Sequence, residues 1–177
     1  MRRIGQIFSF LIPVIALAIF MSGCARQEAR KTEEFKAKLR RVDEEAWNKG
    51  NLDALDEIFA TDFVRHQPPN PDMVGLEAYK QYISDARKAF PDSKLTFDEI
   101  IIEGETGATR YSWKGTHTGE SEILPIPSTG KEVANTGVTM FNLVDGKIAE
   151  DWSYGDWLGL YQQLGFKIIP PEEQSGK

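Results

Sequence analysis

The feature that most constrains the fold of this chain is a change of hydrophobic period at Pro91. Before it, apolar residues recur at helical spacing. Phe35, Leu39, Val42, Ala46 and Trp47 mark one face of a helix over 33–49, with Gly50 as its stop. Asn51 is placed to cap a second helix that buries Leu52, Leu55, Ile58 and Phe59. An extended stretch from Asp62 to His66 leads into a turn carrying Pro68, Pro69 and Pro71. A third helix follows from Gly75 to Ala89, with Leu76, Tyr79, Ile83 and Ala86 on its apolar face, and Pro91 ends it. After Pro91 the segments Leu95 to Glu103, Thr106 to Thr118, Glu132 to Val144 and Lys147 to Tyr154 are rich in β-branched and aromatic residues. Asp145-Gly146 between the last two is a strong hairpin signal. Asp156 to Leu164 reads as a short final helix stopped by Gly165. Helices first and strands afterwards predict α+β rather than α/β.

Composition narrows the chemistry. With 177 residues the chain suits one principal domain. Its single cysteine excludes an intramolecular disulfide and any multi-cysteine metal site, and its two histidines exclude a three-histidine centre. A formal charge of −6 argues against nucleic acid as a partner.

The N-terminus has a different logic. Arg2 and Arg3 precede the apolar run from Ile7 to Met21, and the small residues Ser22 and Gly23 precede Cys24. This is the pattern of a secretory signal. Met21-Ser22-Gly23-Cys24 resembles the bacterial lipobox, which implies cleavage after Gly23 and lipid attachment at Cys24. The plain alternative is an uncleaved membrane helix, at the lower edge of spanning length. On the lipobox reading, 1–23 is a signal peptide, 24–32 a polar tether, 33–166 the folded domain and 167–177 a polar tail. Removing Arg2 and Arg3 with no acidic residue leaves 19 basic against 27 acidic residues, a balance of −8. The expected location is the cell envelope, with the domain held to a membrane by acyl chains.

Several segments of the domain resemble the SnoaL-like polyketide (ester) cyclases of the nuclear-transport-factor-2-like superfamily. They are Asn48-Lys49-Gly50-Asn51 with the run to Phe63, Gly75 opening the third helix, and Gly115-Thr116-His117-Thr118-Gly119. Further along come Pro125-Ile126-Pro127-Ser128-Thr129-Gly130-Lys131, then Asp145-Gly146-Lys147-Ile148 with Asp151-Trp152 to Asp156-Trp157, closing on Gln162-Gln163-Leu164-Gly165. The resemblance covers about residues 33–166. It implies a cone in which three N-terminal helices pack in a curved antiparallel sheet, with a short C-terminal helix and an apolar pocket. It also implies ring closure by intramolecular aldol condensation through an acid/base aspartate, without metal or organic cofactor, and a homodimer formed through the sheet. Aligned on the Asp-Gly-Lys-Ile hairpin, the family's catalytic aspartate falls on Ser153 and an associated histidine on Thr139. Neither side chain can serve as a carboxylate base.

The remaining candidates come from the residues themselves. Asp151, two positions before Ser153, shares its strand face, and burial would raise its pKa toward neutrality. Its plain alternative is a solvated sheet-edge aspartate. Asp156 either supports the pocket or simply caps the last helix. His66 and His117 are the only imidazoles, and each either handles protons or holds a loop. Tyr111 and Trp113 share one strand face, Thr139 and Phe141 a face of the next. With Ser153 and Trp157 they are expected to line the pocket. No metal is expected. The long connection 119–131 has the character of a lid, carrying Ile123, Leu124 and Ile126. The sequence therefore points to a domain that binds a small hydrophobic carbonyl compound or ester, with cofactor-free turnover. A non-catalytic ligand-binding or protein-interaction module stays open beside it.

Overall fold

The computed structural model describes residues 26–169, so the signal segment and Cys24 lie outside the described residues. Two units are distinguished, 1–38 and 39–177. Within the first, residues 26–38 are helical.

The second unit opens with helical residues 39–43, which widen into the π-helical turn Glu44–Asn48; together they are α1. A 3-10 helix, Leu52–Glu57, follows, then β1 (Phe59–His66), β2 (Met73–Val74) and α2 (Leu76–Ala89). Four long strands complete the sheet: β3 (Lys94–Glu103), β4 (Thr106–Thr116), β5 (Glu132–Val144) and β6 (Lys147–Gly155). The chain turns last into α3 (Trp157–Leu164). The order of the curved sheet is β2-β1-β6-β5-β4-β3.

The β3 to β6 meander follows the residue pattern closely. Asp145 and Gly146 both take positive φ, as a two-residue hairpin of matching twist requires. Three departures from the sequence reading have simple causes. The second helix is only a six-residue 3-10 segment, and Asn51 makes no side-chain cap bond. Phe59 belongs to β1, because Phe59 and Phe63 turn inward to meet Tyr79 in an aromatic cluster with centroids 4.8–5.4 Å apart. The sheet is also not wholly antiparallel, since β1 runs parallel to β6. No hairpin joins those two strands, so no turn imposes their relative direction.

Two side-chain amides fasten helices to strands by imitating a β-ladder. Asn48 accepts from the Leu95 N–H at 2.7 Å and donates to the Leu95 carbonyl at 2.9 Å, seating α1 against β3. Gln163 does the same to Ala134 on β5, at 2.9 Å in each direction, and so seats α3. Gly165, in the left-handed region, ends α3. On α2, Leu76, Tyr79, Ile83, Ala86 and Ala89 form the buried stripe.

Candidate functional site

Between α1, α2, α3 and the concave face of the sheet lies a cavity of about 560 Å³. Alternation along the strands decides what faces it. From β4 come Thr109, Tyr111 and Trp113; from β5, Asn135, Thr139 and Phe141; from β6, Asp151 and Ser153; from β1, Arg65. Trp157 opens α3 at one end. The expected aromatic and hydroxyl lining, Tyr111, Trp113, Thr139, Phe141, Ser153 and Trp157, is therefore all in place. Glycines make room for it. A methyl group on Gly137 would sit 2.4 Å from the Tyr111 hydroxyl, so that ring lies directly on the backbone of β5.

The cavity wall holds a charged pair. Arg65 and Asp151 are rung partners on β1 and β6, and the Arg65 Nη1 donates to Asp151 Oδ2 at 3.0 Å. Both are nearly inaccessible to solvent, at 8% and 3% exposure. Burial pushes the Asp151 carboxyl up to about 6, against the pull of the Arg65 charge and, more weakly, of His66. Burial works most strongly against the Arg65 charge, but Asp151 together with Tyr79, Tyr82 and Tyr111 more than offsets it, and the guanidinium stays protonated. The guanidinium lies 4.9 Å from the centre of the Tyr79 ring. Asp151 Oδ1 and Arg65 Nε have no hydrogen-bond partner, so one carboxylate oxygen and one guanidinium N–H are unused.

A second carboxyl, Asp43 on α1, lines the same cavity. Burial raises its pKa well above the ordinary range; Arg65 opposes that shift and Glu44 adds to it. The sequence reading missed Asp43. The signal was present, because Asp43 stands four residues after Leu39 and four before Trp47, on the apolar stripe of the helix. An acidic residue in that place has to face the interior.

The other sequence candidates do not reach the cavity. His66 follows Arg65, so its side chain turns to the outer face of the sheet. There Nδ1 meets Asp72 at 2.8 Å and Nε2 meets Glu150 at 2.9 Å, while the ring stacks on Trp152 at 5.1 Å. Hydrogen bonds to Glu150 and Asp72 raise its pKa. His66 thus clamps the proline-rich turn to β6. His117 lies just beyond β4, fully buried. The Thr129 backbone N–H donates to its Nδ1 at 3.2 Å, and burial lowers its pKa. Its backbone also pairs with Gly130 and Lys131, so it pins one end of the 119–131 connection. Asp156 caps α3, its Oδ1 accepting from the Gly159 N–H at 2.8 Å. Of the four expected proton handlers, only Asp151 faces the cavity. Thr139 and Ser153 are rung partners whose hydroxyls bond each other at 3.1 Å.

The lid expectation also meets a definite arrangement. Glu122, Ile123 and Leu124 line the cavity, Leu124 and Ile126 pack on the cluster around Phe90 and Leu160, and Gly119 is tied to the Ala89 carbonyl. Among the described residues, no group of three or more His, Cys, Asp or Glu side chains is arranged to hold a metal ion.

This geometry meets known proteins at the level of the whole domain. The model of the SnoaL-like polyketide cyclases matches residues 37–164. The chain belongs to that family. Aklanonic acid methyl ester cyclase from Streptomyces peucetius is 28% identical over 132 residues, 72% of this chain and 89% of that protein. The crystal structure of IdmH, a putative polyketide cyclase from Streptomyces antibioticus, is 30% identical. It covers 76% of this chain and 98% of its own, with a TM-score of 0.62. A SnoaL-like protein from Jannaschia shares the fold at 21% identity and a TM-score of 0.68, covering 77% of this chain and 94% of that one. The fold is thus the nuclear-transport-factor-2-like one, and small-molecule binding goes with the family.

Proposed function

We propose that this domain binds a small, largely apolar carbonyl compound or ester in its cavity and moves a proton on it without a cofactor. The observation that carries this reading is the half-used carboxyl of Asp151, buried beside Arg65 in an aromatic-lined cavity and raised to about 6. At neutral pH such a group is ionised yet basic enough to take a proton from carbon next to a carbonyl. Arg65 holds its orientation through Oδ2 and leaves Oδ1 free. Asp43, whose pKa burial raises above the ordinary carboxylate range, lines the same cavity and is suited, when protonated, to donate a hydrogen bond or proton to the carbonyl oxygen. Two carboxyls on one cavity can divide the base and acid roles. On this account the proton handling lost at Ser153 and Thr139 has moved one pleat along β6 and across to α1. The naming of relatives as methyl ester cyclases supports a cyclase-like reaction.

The test is a thermal-shift screen of residues 25–177 against aromatic esters and polyketide-like ketones. A binder is expected, and its turnover is expected to rise with pH through about 6 and vanish in Asp151→Asn. Failure of the whole panel to bind contradicts the reading. The Thr139–Ser153 hydroxyl bond favours a second reading, a binding module without turnover. Binding with no Asp151-dependent rate would select it.

Export and lipid attachment at Cys24 are part of the same proposal, supported by Met21-Ser22-Gly23-Cys24 after the apolar run. Among the described residues no helix is long and apolar enough to cross a membrane. Labelling with a clickable palmitate in a bacterial host is expected to mark the wild-type chain and not Cys24→Ser.

A further inference from the structure

The Arg65–Asp151 pair occupies one end of the cavity. At the other end stand buried polar atoms that the proposed proton transfer does not use. Asn135 on β5 is 5% exposed, and its Oδ1 has no hydrogen-bond partner. The indole Nε1 of Trp157 is likewise buried and unpartnered. Both residues line the cavity. Both side chains also flank Gly155. A methyl group on Gly155 would lie 3.1 Å from Asn135 Nδ2, 3.5 Å from Trp157 Cε2 and 2.9 Å from the Tyr111 hydroxyl.

Native interiors rarely leave buried donors and acceptors unpaired, because each unpaired group costs about 1–3 kcal/mol. Two of them, one donor and one acceptor on cavity-lining side chains that flank the same glycine, describe a place suited to a complementary group. The indole N–H can only donate, whereas the Asn135 oxygen can only accept. A hydroxyl satisfies both at once: its oxygen accepts from Trp157 and its hydrogen goes to Asn135. Gly155 lets the Tyr111, Asn135 and Trp157 side chains lie against the backbone of β6, since a Cβ there would collide with the Tyr111 hydroxyl and crowd the Asn135 amide.

The spacing sets the ligand's length. Gly155 is four residues along β6 from Asp151, a rise of about 13 Å. Tyr111 and Trp113 supply the apolar surface between the two ends.

We infer that Asn135 and Trp157 form a second polar subsite, which recognises a hydroxyl on the ligand at the end remote from the carbonyl held beside Asp151. This rests on the ligand-binding reading above. It assigns a specificity role to two residues that the proton transfer does not involve.

The experiment uses a matched pair of rigid probes, methyl 6-hydroxyanthracene-2-carboxylate and methyl anthracene-2-carboxylate, with affinities measured by calorimetry on residues 25–177. In the wild type the hydroxylated probe is expected to bind roughly tenfold more tightly, the size of one or two net hydrogen bonds. Trp157→Phe keeps the ring and removes the N–H, and Asn135→Leu keeps the volume and removes the amide. Each is expected to reduce the ratio to about twofold or less, through the hydroxylated probe alone. His66→Gln, on the outer face of the sheet, is expected to leave the ratio standing. Equal binding of the two probes to wild type, or an unchanged ratio in both variants, overturns the subsite while leaving the cavity reading intact. Binding of neither probe to the wild type overturns both.

Discussion

Two neighbouring rungs of the same ladder carry opposite electrostatic solutions. Arg65 and Asp151 face inward, while His66 and Trp152 on the next rung face outward. The inner pair is almost sealed from water, and one carboxylate oxygen is left without a partner. The outer imidazole is fully engaged, with a carboxylate on each nitrogen and an indole beneath it. Burial dominates inside, so the carboxyl titrates high; hydrogen bonding to carboxylates dominates outside, so the imidazole titrates high. The inner group is held in tension with its surroundings and has unused capacity. The outer group is satisfied and holds a loop. One step along a strand separates a candidate reactive group from a structural one.

The comparison can be broken most severely from the inside. Arg65→Met leaves Asp151 buried without its counter-charge and is expected to cost about 3–5 kcal/mol in urea unfolding at neutral pH. The double variant Arg65→Met, Asp151→Leu is expected to recover most of that loss, because it removes both charges together.

Next in size is the pH dependence that Asp151 imposes. Its folded pKa of about 6 lies above the unfolded carboxylate value, so the folded state binds the proton more tightly. Its contribution is therefore most favourable below pH ~4 and declines as pH rises to about 6, a loss of roughly 2–3 kcal/mol. Stability profiles of wild type and Asp151→Asn are expected to diverge over that window.

Asp156→Ala removes a helix cap remote from both rungs. It is expected to cost about 1 kcal/mol and to leave probe affinity unchanged, which calorimetry and urea unfolding check together.

The outer rung is expected to give the smallest effect. His66→Gln weakens the clamp by about 0.5 kcal/mol, since both its partners are largely solvated. The sign is opposite to that of Asp151. A raised imidazole pKa contributes stability fully present below about pH 6.5, and that stability is lost as pH rises through the folded value. The difference in melting temperature between wild type and His66→Gln is expected to shrink at alkaline pH.

Parity explains both what was legible in the sequence and what was not. The period-2 alternation of β4, β5 and β6 placed Tyr111, Trp113, Thr139, Phe141, Asp151 and Ser153 on one face, and the cavity lies on that face. The same rule applied to β1 puts His66 outside once Arg65 is inside. Of that pair the arginine, not the scarcer histidine, faces the cavity. His117 was misjudged for another reason, since its bonds to the 129–131 end of the loop are set by loop geometry that periodicity does not encode. Asp156 was open to both readings, and the cap is the one seen. Asp43 was legible in principle, as a charge on an apolar stripe, but only the tertiary fold, which buries it within the electrostatic influence of Arg65, gives it significance. The parallel pairing of β1 with β6 and the shortness of the second helix are likewise tertiary outcomes.

The most direct test of the central claim is a pH titration of the Asp151 side-chain carboxyl by carbon-detected NMR, assigned with Asp151→Asn. A midpoint near 6 that moves on adding a bound aromatic ester is the predicted result. A midpoint in the ordinary aspartate range, unmoved by ligand, would contradict the account.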